Sequence, residues 1–121
     1  MKALLINPEN KTVTTIDLGK GLDAIYKAMD CDLFDVVNLP NGDAIYVDDE
    51  GLLKPDKIIG AFIFPNWNYP LVNKCLVIGT NRATGNSVSC KSTPESLLVR
   101  DKLIWIDKAD PQLVKYVNQF N

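Results

Sequence analysis

The sequence predicts a single α+β domain over residues 1–121, with a mostly antiparallel sheet and two or three short helices. Short segments rich in β-branched residues alternate with turn residues, as they do in antiparallel sheets. Other segments repeat apolar residues at helical spacing. The chain is long enough to bury a core without disulfides or metal, and no linker, repeat or low-complexity segment divides it.

The first predicted elements are a hairpin and a short helix. Residues 2–7 and 11–18 are predicted strands, because the residues between them include Pro8 and Asn10, which favour turns. After two glycines, apolar residues recur at i, i+3, i+4 and i+7, the spacing of one helical face. This stripe consists of Leu22, Ile25, Tyr26 and Met29.

A second hairpin is predicted around Asn41 and Gly42. Two β-rich runs, residues 34–39 and 44–47, flank this pair. Asn-Gly favours a type I′ turn, because both residues accept the positive φ that this turn requires. Later strands are predicted from aromatic and β-branched content. They cover residues 58–64 and 73–80, a weaker run within 86–92 and a last one within 102–107.

Two further helices are predicted from their capping residues. Thr93 and Asp110 are each followed by a proline, which fits the first helical position because it needs no hydrogen-bonded N–H. The last helix would have an apolar face that docks on the domain or on a second copy, which allows a homo-oligomer. That face consists of Leu113, Val114 and Val117, extended by Phe120.

Composition excludes several classes of site. Histidine is absent, which rules out Ser-His-Asp and Cys-His catalysis and zinc sites built on imidazole. Cys31, Cys75 and Cys90 are widely spaced and odd in number, so we expect free, buried or half-buried thiols and a cytosolic location. No apolar run approaches the roughly 20 residues of a membrane span, and no signal-peptide core is present. No cofactor is expected.

Negative charge is concentrated early in the chain. Residues 1–60 carry 11 of the 15 acidic side chains, and no lysine or arginine stands between Lys27 and Lys54. Such a stretch predicts either a solvated face or a surface that attracts a basic partner. The candidate partner-binding residues are Asp30, Asp32, Asp35, Asp48, Asp49 and Glu50, with Trp67 and Tyr69 in the aromatic loop at residues 64–70.

The acidic triplet at residues 48–50 has two interpretations. In an extended strand Asp48 and Glu50 would share a face, where two carboxylates could chelate a divalent metal or form an acid–base pair. The favoured interpretation is an exposed strand end that turns at Gly51, because a calcium loop needs more oxygen ligands than this segment offers.

A small anionic ligand is the alternative to a protein partner. Polar residues cluster around one arginine after the strand at residues 73–80, although the segment matches no phosphate-binding loop motif. In this interpretation Trp67 or Tyr69 would stack on the base of a nucleotide. The candidate ligand-binding residues are Thr80, Asn81, Arg82 and Trp67. Direct nucleic-acid binding is not expected, since no basic cluster accompanies the aromatic residues.

Three segments, "MKALLINPENKTVT", "IYVDDEGLLK" and "PLVNKCLVIGTN", resemble a DUF3846-like family of small proteins carried by phages, plasmids and conjugative elements. The resemblance covers residues 1–81, and residues 82–121 are interpreted as lineage-specific. Asn73 stands where the family often has glycine. The matching positions are Asp49, Glu50, Gly51 and Leu52, then Pro70, Leu71, Lys74 and Gly79.

The resemblance implies a context but no catalytic residues. Small accessory proteins of mobile elements often act by binding, so the leading hypothesis is a non-enzymatic protein that binds a host protein in the bacterial cytosol, with counter-defence as its specific form. The alternatives are sequestration of an anionic ligand, and a metal-dependent enzyme that uses Asp48 and Glu50.

Overall fold

The computed structural model describes residues 1–81 and 83–120. It confirms an α+β fold in which all paired strands are antiparallel. The strands are β1 Lys2–Asn7, β2 Thr12–Asp17, β3 Phe34–Asn38, β4 Asp43–Asp48, β5 Ala61–Ile63, β6 Leu71–Val72, β7 Cys75–Thr80, β8 Ser87–Val88 and β9 Ile104–Ile106. The helices are α1 Leu22–Met29, a π-helix at Ser96–Arg100 and α2 Pro111–Asn118, and short 3₁₀ turns lie at Gly51–Leu53 and Pro55–Lys57.

The strands form two sheets. The larger has the order β2-β1-β7-β4-β3, with β8 paired to the end of β7. The smaller has the order β6-β5-β9. The predicted strand at residues 58–64 is shorter in the structure and lies at the centre of the smaller sheet. Strand β7 lies at the centre of the larger sheet, between β1 and β4.

Side-chain alternation along β7 separates two apolar layers. Cys75 and Val77 belong to the core between the two sheets, whereas Leu76 and Ile78 pack with α1 on the opposite face. This follows from the period of two in a strand, and both faces of a central strand are therefore apolar. The run "CLVI" consequently has no polar alternation, although it lies in an antiparallel sheet.

Helix α2 covers the outer face of the smaller sheet. Leu113 and Val117 are buried there against Ala61 and Val72. The predicted cap is confirmed, since the Asp110 carboxylate accepts a hydrogen bond from the Gln112 N–H at 2.9 Å. The predicted apolar face was partly wrong. Val114 lies outside the buried stripe, and both Val114 and Phe120 are exposed.

The turn between β3 and β4 differs from the predicted type I′. Gly42 has φ of 93°, but Asn41 is not among the residues with positive φ. The Gly42 N–H donates to the Leu39 carbonyl at 3.2 Å, which places Pro40 and Asn41 at the centre of the turn. Because proline fixes φ near −65°, the turn begins one residue earlier than predicted and only Gly42 takes the left-handed conformation.

The helix predicted after Thr93 is present, but its hydrogen bonding widens to a π-helix. The Thr93 hydroxyl oxygen accepts from the Ser96 N–H at 3.1 Å, which satisfies one free donor at the helix start. Further on, the Asp101 N–H donates to the Ser96 carbonyl at 2.9 Å, a bond that spans five residues. Leu97 is buried in the core between the sheets, and Arg100 ends this turn.

Asp43 is a buried carboxylate at the start of β4. Its Oδ2 accepts hydrogen bonds from the Ser92 hydroxyl at 2.6 Å and the Ser92 N–H at 2.8 Å. Its Oδ1 accepts from the Lys91 N–H at 3.0 Å. The Asn41 amide nitrogen lies 3.4 Å from Oδ2. Asp43 therefore joins two segments that are nearly fifty residues apart in the sequence.

The hydrogen bonds to Asp43 decide its charge state. Burial by itself raises the pKa of this carboxyl, but the donors from Ser92, Lys91 and Asn41 outweigh it and hold the pKa below its ordinary value. A lowered pKa in the folded state stabilises the protein above the ordinary pKa. This stabilisation is lost as the pH falls through the lowered value.

We expect Asp43→Ala to lower the free energy of unfolding by about 2–4 kcal/mol at pH 7, since it leaves several buried donors without an acceptor. The exposed Asp35 provides the control, and Asp35→Ala should change stability by no more than about 0.5 kcal/mol. Urea unfolding measures both. The difference in the free energy of unfolding between wild type and Asp43→Ala should shrink as the pH falls below 3.8, the ordinary pKa of an aspartate. A difference that stays constant there would contradict the ionised state assigned to Asp43.

Gly79→Ala should also destabilise the fold. A Cβ at Gly79 would lie 2.5 Å from the Ser89 carbonyl oxygen, so the backbone beyond β8 would have to move. The expected loss is about 1–3 kcal/mol in the free energy of unfolding. Gly19→Ala is the matched control, because its Cβ would meet Ala24 at an ordinary 3.5 Å. Equal effects in urea unfolding would show that close packing is not the cause.

Candidate functional site

The predicted acidic residues lie in two segments that the sheet brings together. One segment leads into β3 and the other ends β4, and Phe34 pairs with Asp48 across these strands. The Asp49 N–H also donates to the Leu33 carbonyl at 3.1 Å. Strand β3 is an edge of the larger sheet. We call this region the acidic edge; it consists of Asp30, Asp32, Asp35, Asp48, Asp49 and Glu50. Strand alternation places Asp35, which pairs with Val47, on the opposite face from Asp48.

Lys54 supplies a counter-charge to the acidic edge. Its ammonium group lies 3.7 Å from the Asp32 carboxylate and 3.6 Å from the Glu50 carboxylate. These distances are long, and the Asp32 side chain is largely exposed, so each pair contributes little stability. Lys54 therefore offsets only part of the negative charge of this surface, and Lys57 and Lys74 lie beside the same cavity as Asp32 and Asp48.

The acidic triplet at residues 48–50 forms a turn. Strand β4 ends at Asp48, so the strand alternation that predicted a shared face does not extend to Glu50. The Asp48 carboxylate instead accepts a hydrogen bond from the Glu50 N–H at 3.0 Å. Within residues 1–81 and 83–120, no group of three or more His, Cys, Asp or Glu side chains is arranged to hold a metal ion. The geometry therefore favours the turn interpretation.

The negative field of the acidic edge acts on Cys31. Burial raises the pKa of this thiol to about 11, with additional contributions from the nearby charges of Asp48, Asp32, Asp30 and Glu50. All three cysteines are free, as predicted, and Cys75 and Cys90 are buried. Cys31 is therefore a protonated thiol, poorly suited to act as a nucleophile or metal ligand.

A cavity of about 470 Å³ lies beside the acidic edge. Cys31, Asp32 and Asp48 line it together with Lys57 and Lys74. Its charges are mixed, and it connects the acidic edge with the segment that precedes β7.

The two aromatic residues predicted to form one binding loop have different environments. Trp67 is half-buried, and its ring meets Phe64 edge-to-face at 5.0 Å between centroids. Tyr69 is 64% exposed and lies beside Tyr116 of α2, with 5.9 Å between ring centroids. Tyr116 in turn contacts Phe120. Neither Trp67 nor Tyr69 lines the cavity beside the acidic edge.

The predicted ligand-binding residues do not share one cleft. Trp67 lines a second, larger cavity, and its described lining includes neither Thr80 nor Asn81. Arg82 lies outside the described residues. The cations that do line this cavity are Arg100 and Lys102, which the sequence analysis did not single out. Their position at the end of the helix predicted after Thr93 was the sequence feature that could have indicated them.

The model of a protein family, the Domain of unknown function DUF3846, matches residues 1–98. The chain belongs to the DUF3846 family. The match continues past residues 1–81, on which the resemblance in the sequence analysis was based. The chain is also 31% identical over 78 residues to "Uncharacterized protein y4iR" of Sinorhizobium fredii. This alignment covers 63% of the chain and 47% of that protein, so the chain matches about half of its relative's length.

No solved structure matches the chain. In the part of the chain that the structure describes, no helix has the length and apolar character needed to cross a membrane.

The DUF3846 marker residues have structural roles. A Cβ at Gly51 would lie 2.6 Å from the Val72 side chain, so the two marker segments pack closely against each other at this point. Asn73 has φ of 67°, a left-handed conformation that glycine adopts most easily and asparagine next. Its amide oxygen also accepts from the Ile59 N–H at 2.9 Å. A glycine, the residue that the family resemblance leads us to expect here, would suit the same backbone.

The rate at which Cys31 is alkylated depends on the pKa of its thiol, which burial and the nearby carboxylates of the acidic edge raise. With a pKa of about 11, its reaction with iodoacetamide should keep rising from pH 8 to pH 10, whereas a thiol of pKa 9.0 would approach a plateau. Asp32→Asn should increase the rate at pH 8 by about threefold to tenfold, because one nearby charge is removed. Glu95→Gln is the distant control. Mass spectrometry identifies the labelled cysteine, and a plateau near pH 9 would contradict the assignment.

Proposed function

We propose that this DUF3846 protein is a non-enzymatic accessory protein of a phage or other mobile element that binds a basic host protein through its acidic edge. It would act in the bacterial cytosol, and inhibition of a host defence protein is the specific form of the proposal. A cluster of four carboxylates from two chain segments carries this proposal; Asp30, Asp32, Asp48 and Glu50 all act on Cys31 at the β3–β4 end of the larger sheet.

The surroundings of these carboxylates suit a protein partner. The acidic edge borders β3, an edge strand whose outer side has no neighbour in the larger sheet. Leu33 and Val36 expose 50% and 40% of their surface there. Protein interfaces combine an apolar centre with a polar rim, and charges at the rim accelerate association and select the partner.

The charge of the surface defines the partner's chemistry. Burial raises the pKa of Cys31, and the nearby carboxylates raise it further, which indicates a local negative field despite the counter-charge of Lys54. A lysine- or arginine-rich protein surface would be attracted to it, and nucleic acid would be repelled. Binding should therefore weaken as salt concentration rises.

Affinity capture from host lysate tests the proposal. The tagged protein should enrich a protein with a basic surface at about 50 mM salt and lose most of it at about 500 mM. The double variant Asp32→Asn with Asp35→Asn should reduce capture by about tenfold or more. The control, Glu95→Gln with Asp107→Asn, removes the same charge elsewhere on the surface and should capture as wild type does.

Two results would contradict the proposal. One is capture of the same protein, in the same amount, by the acidic-edge variant and by wild type. The other is a bound partner whose release does not depend on salt. Circular dichroism of each variant would confirm that a loss of capture does not reflect a loss of folding.

A further inference from the structure

The larger cavity lies away from the acidic edge and has a different chemistry. Its volume is about 620 Å³, within the range of roughly 300–1,000 Å³ that is typical of small-molecule sites. It is lined by three segments: the turn between β3 and β4, the loop after β5, and the segment from the π-helix to residue 102. Strand β4 begins beside this cavity at Asp43 and ends in the acidic edge at Asp48, so the two sites lie at opposite ends of one strand.

One wall of the cavity is aromatic and apolar. Trp67, Phe64 and Leu97 line it. Phe64 and Leu97 are buried members of the core between the sheets, and Trp67 packs against that core. The edge-to-face contact with Phe64 holds the indole ring in place. A ring supported in this way offers a planar surface on which another aromatic ring can stack with little loss of side-chain entropy.

The rim of the cavity carries two cations. Arg100 is the last residue of the π-helix, and its side chain is 68% exposed. Its Nε lies 3.4 Å from the Asp101 carboxylate, a weak pair in water. Lys102 has φ of 54°, an unusual backbone conformation for lysine. π-turns and left-handed non-glycine residues occur frequently at functional sites, and here both lie at one rim.

The remaining polar wall is held rigidly. Asn41 and Ser92 line the cavity. The Asn41 amide nitrogen donates to the Ser92 hydroxyl oxygen at 3.0 Å, and its amide oxygen accepts from the Asp43 N–H at 3.0 Å. Both ends of this amide are therefore fixed by the buried Asp43 cluster before any ligand arrives. Such preorganisation lowers the entropy cost of binding.

We propose that this cavity binds a small planar aromatic molecule that carries an anionic group, with the ring against Trp67 and the anion between Arg100 and Lys102. A nucleoside monophosphate and an aromatic carboxylate share this chemistry. The rim has two cations, Arg100 and Lys102, and one carboxylate, Asp101, so its net charge is positive. A guanidinium group binds phosphate and carboxylate through paired hydrogen bonds. Arg100 and Lys102 follow the residues matched by the family model, so this rim lies outside the DUF3846 match.

Tryptophan fluorescence tests the proposal directly. The chain has two tryptophans, so Trp105→Phe leaves Trp67 as the reporter. AMP, GMP, CMP and UMP serve as one set of probes and benzoate as another, with adenosine and inorganic phosphate as the two halves of a nucleotide. We expect at least one anionic aromatic probe to quench Trp67 saturably and to bind at least about tenfold more tightly than adenosine or phosphate alone. Nucleotide binding and benzoate binding would distinguish the two sources.

Substitutions at the rim then locate the site. Arg100→Gln should weaken the bound probe by about tenfold or more, and Lys102→Asn, which tolerates the left-handed conformation, should weaken it as well. Lys108→Gln is the matched control, because it removes one positive charge outside the cavity lining, and it should bind as the parent does. Because Arg100 and Lys102 are exposed, these variants should remain folded.

Three outcomes would overturn the proposal. The first is the absence of saturable quenching by any anionic aromatic probe at millimolar concentration. The second is equal affinity for inorganic phosphate and for the nucleotides, which would leave no role for the ring. The third is unchanged affinity in both Arg100→Gln and Lys102→Asn, which would place the anionic group away from this rim.

Discussion

The structure depends on the burial of one charged group, the Asp43 carboxylate. It links the start of β4 to the segment at residues 91–92 through hydrogen bonds from Ser92 and Lys91. Strand β4 lies next to the central β7, where Asp43 pairs with Gly79. The same segment leads into the π-helix and then into β9 of the smaller sheet. A carboxylate in this position costs desolvation energy, which only a complete set of donors offsets, so the cluster specifies one arrangement of both segments.

The two proposed binding surfaces follow from this arrangement. Near Asp43, the side chains of Asn41 and Ser92 become part of a cavity wall that also includes Trp67 and the cations at the rim. At the other end of β4, the carboxylates form a negative surface that adds to the effect of burial in raising the pKa of Cys31. One strand thus separates a positively charged cleft from a negatively charged edge. An anionic small molecule and a basic protein would each meet the charge that attracts it, with little competition between them.

Most secondary structure was predictable because it depends on local interactions. Helix α1 has clear apolar periodicity, strands β1 and β7 are short apolar runs, and the cap at Asp110 acts within two residues. The error in the turn also has a local cause. Pro40 shifted the turn that Asn41 and Gly42 predicted, because a ring-locked φ takes precedence over a preference for positive φ. At residues 48–50 the favoured turn interpretation agrees with the structure, because strand β4 ends at Asp48 and its carboxylate accepts from the Glu50 N–H.

The sequence by itself determined the fold class, the free thiols and the group of acidic residues, because each depends on composition or on neighbours along the chain. It also excluded imidazole chemistry, since histidine is absent. Only the tertiary structure showed that Asp43 is buried, that Trp67 and Tyr69 have different environments, and that Arg100 joins Trp67 at one cavity. The physical reason is that Asp43 with Ser92, Tyr69 with Tyr116, and Trp67 with Arg100 are each more than thirty positions apart. Their partners are chosen by sheet pairing and core packing, and no local pattern records those choices.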